Sequence, residues 1–236
     1  MICIICWGIM EPADSLTAEA AMLKRKDLEP TGQVIWEIPT HKKVIAITFD
    51  DGPNPPYTKQ ILQLLRQYHA HATFFTIGYR MQQAPDIVRE IIEDGHELGN
   101  HTMTHQFANR VPPQRIHREI VQGKKEIEKW QPDSPLLYRP PGGYINESVF
   151  YIAKKEGYKI ILWSWHQDPH DWSDPGVSNI VNHVVHHARN GDIVLLHDGS
   201  GNRQQTVEAL KRILPALKEK GYAFVTVSEL LKYREP

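Results

Sequence analysis

Short apolar runs alternate with longer apolar stripes along most of the chain. Runs at 44–49, 71–77, 96–100, 136–139, 159–164, 192–197 and 222–227 have strand length and are bounded by polar or turn-forming residues, so they are read as strands. Between them the apolar spacing changes to that of helices. Ile61, Leu62, Leu64, Leu65 and Tyr68 form a stripe after Pro55-Pro56, and Ile87, Val88, Ile91 and Ile92 form another after Pro85. Ile116, Ile120 and Ile127 run along 113–130; Ile180, Val181, Val184 and Val185 lie on 177–189; Val207, Leu210, Ile213, Leu214 and Leu217 lie on 204–220. Gly95, Gly157, Gly191 and Gly221 stand where a left-handed residue would end a helix. Such strand–helix repetition, at roughly 25 to 40 residues per unit, predicts an α/β fold with a parallel sheet. With about seven units a (β/α) barrel is favoured over an open sheet, and functional residues are then expected at the C-terminal strand ends.

Composition narrows this only modestly. The 236 residues are 41% hydrophobic and 23% charged, which suits one domain, taken as 41–236, behind an N-terminal extension, 1–40. A net charge of −1 gives no bulk electrostatic case for nucleic acid or an anionic membrane as partner. The only cysteines, Cys3 and Cys6, lie in the apolar opening, so the body of the chain holds neither a disulfide framework nor a cysteine-based metal site. That opening has the length of a signal core but lacks a positive leader, and it reads either as a degenerate export segment or as an apolar segment lying on the domain. No later stretch is apolar for long enough to span a membrane as a helix.

The chemistry sits at the predicted strand ends. The apolar run from Val44 delivers two adjacent acids, Asp50 and Asp51, followed by Gly52-Pro53. Neighbouring carboxylates repel, and a fold that holds both usually gives one a cation and leaves the other free to take a proton. His101 and His105 have the spacing that puts two rings on one side of a helical turn, so two His and one Asp could fill one face of a divalent ion and leave its other positions open. Each feature alone is weak. An isolated Asp-Asp-Gly-Pro is a turn, and a lone His-x-x-x-His is usually surface. His183, His186 and His187 share a helical face without a carboxylate and read as solvated, His166 and His170 as bordering a cleft, and the cluster of Trp163, Trp165 and Trp172 as core in preference to a sugar platform, with Trp172 the first candidate for the platform.

Five segments together are far more specific. Thr48-Phe49-Asp50-Asp51-Gly52-Pro53, His101-Thr102-Met103-Thr104-His105, Arg139-Pro140-Pro141-Gly142, Asp168-Pro169-His170-Asp171-Trp172 and Leu195-Leu196-His197, in that order, resemble the motifs of the NodB-type polysaccharide deacetylases, the family 4 carbohydrate esterases. The resemblance runs from roughly residue 42 to the C-terminus. It implies a distorted (β/α) barrel of about seven strands, one divalent metal ion and hydrolysis of acetyl groups on a sugar polymer. Carried onto this sequence, it makes Asp51, His101 and His105 the metal ligands, with zinc first and cobalt, nickel, manganese or iron as alternatives. Asp50 becomes the base, oriented by a two-pronged ion pair with Arg139, and His197 the acid, held by Asp171 in preference to Asp168. Backbone N–H groups after Arg139 would hold the oxyanion, Trp172 and Leu195 would line the acetyl slot, and Pro141, Gly142 and Tyr144 would touch substrate. There is one departure from the pattern. Many relatives carry a Tyr directly after Arg-x-Pro, whereas here Gly142-Gly143 precede Tyr144, so the ring must reach the groove from two residues later. The expected partner is an acetylated polysaccharide, cell-wall peptidoglycan or a chitin-type oligomer, met by a monomer outside the cytoplasm. Rival readings are an O-acetyl esterase on a xylan-like polymer, a hydrolase of small amides and a non-catalytic carbohydrate-binding barrel.

Overall fold

The structure is a computed structural model and describes residues 21–235; the apolar opening with Cys3 and Cys6 lies outside the described residues. A short helix, α1 (Arg25–Leu28), precedes β1 (Val34–Ile35) and β2 (Val44–Asp50). The chain continues through α2 (Pro55–Tyr68), β3 (Ala72–Thr76), α3 (Gly78–Gln83), α4 (Pro85–Glu93), β4 (Glu97–Asn100) and α5 (Pro113–Glu128). Then come β5 (Leu137–Tyr138), α6 (Glu147–Lys155), β6 (Lys159–Ile161), α7 (Val177–His187), β7 (Ile193–His197), α8 (Gln204–Glu219), β8 (Ala223–Phe224) and α9 (Val227–Leu231).

Seven parallel strands, in the order β1-β6-β5-β4-β3-β2-β7, curl into a half-barrel with helices around it. Irregular backbone narrows the gap between its edges, where Ser164 N–H donates to Ile193 O and Leu195 N–H to Gln167 O, both at 3.0 Å. The short β8 pairs with the start of β2 below β3. The seven strand segments anticipated from sequence are all present, and β1 joins them. It lies ahead of residue 41 and pairs with β6 through Val34–Ile160 and Ile35–Ile161.

Strand alternation separates two kinds of environment. In β2, Ile45, Ile47 and Phe49 pack outward with α2, α4, α7 and α8, while Val44 and Ala46 join the interior cluster of Phe75, Leu137, Ile161 and Ile193. Val227 and Leu230 of α9 belong to the same interior cluster. The outer layer supplies much of the stability. In α8, for example, Val207, Leu210, Ile213, Leu214 and Leu217 are fully buried, each such side chain contributing about 1.5–3 kcal/mol. The inward face of β2 then changes character along its length, from Val44 and Ala46 to Thr48 and Asp50, and that of β7 from Ile193 and Leu195 to His197. Apolar side chains fill the interior at one end and titratable ones emerge at the other.

Candidate active site

Register brings the first two reactive groups together. Asp50 and His197 are Cα partners across the parallel β2–β7 ladder, and Asp198 N–H donates to Asp50 O at 3.1 Å. The strand ends therefore present a carboxylate and an imidazole side by side.

Arg139, at the end of β5, is fully buried under the same strand ends. Its Nη1 donates to Asp50 Oδ1 at 2.7 Å and to Thr48 Oγ1 at 2.8 Å. The expected two-pronged pair is not formed. Nε and Nη2 are drawn to the carbonyls of Ile161 and Leu162, at 3.1 and 2.9 Å, because the end of β6 presents acceptors that would otherwise be buried without a donor. One Asp50 oxygen is fixed and the other, Oδ2, is left 3.7 Å from His101 Nε2.

Asp51 turns away with a φ of 74°, a left-handed conformation that Asp tolerates better than bulkier residues. Its Oδ1 is buried without a hydrogen-bond partner, 3.0 Å from His105 Nε2 and 3.5 Å from His101 Nε2. His101 Nδ1–H donates to Arg139 O at 2.7 Å, which leaves the Nε2 lone pair facing Asp51. One ligand atom from each of Asp51, His101 and His105 lies within 4.8 Å of the others. Two imidazoles and a carboxylate around one unsatisfied oxygen fit a divalent cation of the zinc, cobalt, nickel, manganese or iron type. A proton competes for the same place: burial pushes the His101 pKa down, but the Asp50 and Asp51 charges outweigh it and raise it.

The His pair does not sit on the helical turn its spacing suggested. Residues 101–105 form an irregular loop in which Thr102 and His105 both have positive φ, at 71° and 59°. Local side chains impose this path. Asn100 Oδ1 accepts from Thr102 N–H and Thr102 Oγ1 from His105 N–H, while the buried Glu119 of α5 accepts from both the N–H and the hydroxyl of Thr104. The rings still converge, with centroids 5.0 Å apart.

On the opposite side Asp171 holds His197, with Oδ1 2.7 Å from Nδ1; Asp168 instead lines the cleft and accepts from His170 N–H at 3.1 Å. Burial alone would lower the His197 pKa, but the Asp171 hydrogen bond and charge, with help from Asp50 and Asp51, raise it to about 9.

These groups open into a cleft of about 500 Å³ that contains Asp50, Asp51, His101, His105 and His197. Gly142, Tyr144, Trp172 and Leu195 line it as well. Tyr144 reaches the cleft because Gly142 and Gly143 both take left-handed conformations, φ 65° and 70°, and a Cβ on Gly142 would overlap Phe107 and Tyr144. Pro141 is buried in the turn and is not among the residues that line the cleft. Phe107, Trp163, Ser200 and Arg203 line the cleft without having been anticipated. Phe107 lies only two residues past His105, a signal that could have found it. Trp165, read as core, is 70% exposed.

The loop that carries the two acids leaves no room for a side chain at Gly52, where a Cβ would overlap the Asp198 carboxylate. Asp198 cannot easily retreat, since it accepts from Thr58 Oγ1 at 2.6 Å in a fully buried setting. Gly52→Ala is therefore expected to lower stability by about 1–3 kcal/mol. A fall in the urea midpoint at constant m would show it, and an unchanged midpoint would refute the packing account.

Comparison with known proteins agrees with this geometry. A family model described as polysaccharide deacetylase matches residues 37–161. A peptidoglycan-N-acetylglucosamine deacetylase of Bacillus cereus is 61% identical over 213 residues, covering 90% of this chain and 100% of that protein. A chitooligosaccharide deacetylase of Bradyrhizobium is 37% identical over 198 residues, covering 79% of this chain and 90% of the relative. Among solved structures, a peptidoglycan N-acetylglucosamine deacetylase superposes with a TM-score of 0.82 at 30% identity, over 89% of this chain and 99% of the other.

Proposed function

The chain belongs to the polysaccharide deacetylase family, and from that premise we propose that it removes N-acetyl groups from N-acetylglucosamine units of a cell-wall glycan. One observation carries the reading: a single cleft joins Asp50 and His197, which are paired in register, to the Asp51–His101–His105 group. The 61%-identical relative supports peptidoglycan as the polymer, and a substrate of that kind supports action outside the cytoplasm. Among the described residues no helix is long and apolar enough to cross a membrane.

Amide hydrolysis needs a base for the attacking water, stabilisation of the oxyanion and an acid for the leaving nitrogen. A divalent ion held by Asp51, His101 and His105 would polarise the acetyl carbonyl and make water acidic enough to attack near neutrality. Asp50, fixed by Arg139 through one oxygen, offers the other to take the water proton. Pro140 and Pro141 lack an N–H, so Gly142 supplies the first backbone donor after Arg139 and the oxyanion contact is assigned to it. His197 carries its proton on the ring nitrogen not bound to Asp171 and gives it to nitrogen as the C–N bond breaks, leaving acetate and a free amine. Trp163, Trp172 and Leu195 supply apolar surface for the acetyl methyl and the sugar face.

The test is acetate release from peptidoglycan fragments, chitooligosaccharides and acetylated xylan. Release from the N-acetyl substrates is expected to exceed that from xylan, to stop on chelation and to return with zinc or cobalt. Release from xylan alone would make the protein an O-acetyl esterase, and no release by metal-loaded protein would make it a binding barrel.

A further inference from the structure

The anchor of the acid extends beyond its aspartate. Asp171 is 1% exposed, and both of its oxygens are engaged. Oδ1 accepts from His197 Nδ1 at 2.7 Å, and Oδ2 accepts from the His197 backbone N–H at 2.9 Å and from the Thr206 hydroxyl at 2.7 Å. Two of these three donors belong to His197 itself. The backbone N–H belongs to β7 and holds Oδ2 to the sheet, the imidazole is held by Oδ1 in turn, and the Thr206 hydroxyl is the one carboxylate contact that comes from α8.

Thr206 is well placed for this. It is fully buried in the first turn of α8, a helix of 16 residues anchored by apolar packing, so its position is set by the scaffold. That turn is also the positive end of the helix, which favours a carboxylate beside it. The connection back to His197 is short and braced: Arg203 Nε donates to Gly199 O at 2.6 Å, and a terminal nitrogen donates to Ser200 O. The terminal torsion of Asp is broad, so with the β7 N–H as its one fixed donor the carboxylate can turn about that bond and carry the imidazole with it.

We propose that Thr206 is a positioning residue for the general acid, its hydroxyl holding Asp171 so that His197 keeps Nδ1 turned inward and its other nitrogen toward the cleft. This rests on the deacetylase reading above. Thr206→Val keeps the shape and removes the donor, whereas Thr206→Ser keeps the donor. With a chitooligosaccharide, kcat of Thr206→Val is expected to fall about 10- to 100-fold at nearly constant KM, the range for a lost hydrogen bond to a charged group. With an activated acetyl ester, whose leaving group needs little protonation, the loss should be no more than about threefold. Thr206→Ser should restore most of the amide activity. The low-field proton resonance of the His197 Nδ1–H should move or broaden in Thr206→Val and return in Thr206→Ser, while thermal melting confirms that each variant is folded. If the valine variant does not fold, Thr206→Ala against Thr206→Ser makes the same comparison. Equal losses on amide and ester with an unmoved resonance would overturn the proposal. Absence of acetate release by the parent protein would instead overturn the deacetylase reading, and the resonance would still decide whether Thr206 orients the pair.

Discussion

Asp50→Asn is expected to keep the cation site and lose about 10² to 10⁴ in turnover, whereas Asp51→Asn is expected to lose the cation itself. Adjacent in sequence, the two acids have been given different surroundings. Asp50 ends a regular strand, spends one oxygen on the buried Arg139 and leaves the other free for a proton. An amide at that position can still accept from Arg139 but cannot act as a base. Asp51 has turned through a positive φ to set Oδ1 between two imidazoles with no donor satisfying it. Burial opposes its charge, yet the neighbouring imidazoles more than compensate and hold its carboxyl well below the usual range. An asparagine there replaces the anionic ligand with a neutral one. Metal content after dialysis, set beside kcat on an N-acetyl oligosaccharide, separates the two variants. Equal metal retention in both would show that the two acids do not divide the roles in this way.

What the sequence made legible was whatever follows from local periodicity. The inward positions of β2 and β7 could be read as apolar residues giving way to Asp50 and His197, because alternation and strand length are local properties. The strand β1 could not be read this way. Two residues, Val34 and Ile35, give no period, and they become a strand only because β6 offers them an edge. The His101–His105 pair shows the opposite error: its spacing imitates a helix, but Asn100, Thr102 and Glu119 fold it into a loop, using contacts with a helix that begins at Pro113. Arg139 was expected to spend two prongs on Asp50. Its other N–H groups go to carbonyls more than twenty residues away, and no spacing rule records such acceptors. The cleft walls were the least legible part, since Trp163 and Arg203 enter it from loops whose paths are set by packing.

His197→Ala is expected to lose about 10² to 10⁴ in activity on an N-acetyl sugar and much less on an activated acetyl ester. An amide nitrogen must be protonated to leave, whereas an activated alkoxide or phenoxide departs without that help. The surroundings of His197 also lead to an expected pH range for the acid. His197 is useful when protonated, and Asp171 is chief among the groups that raise its pKa to about 9, against the pull of burial. The alkaline limb of the rate profile on N-acetyl substrate should therefore lie toward pH 9, displaced downward to the extent that a bound cation offsets the charge of Asp51. In Asp171→Asn the main raising influence is removed. The limb should then move down toward the ordinary imidazole value of about 6.5, so that activity survives best in mild acid and is lost across neutrality. In His197→Ala the limb should vanish with the amide activity, while the residual ester hydrolysis should show no limb from this group. If that ester profile kept an alkaline limb near 9, or if amide and ester activities fell by the same factor, the proton donor would have to be sought elsewhere in the cleft.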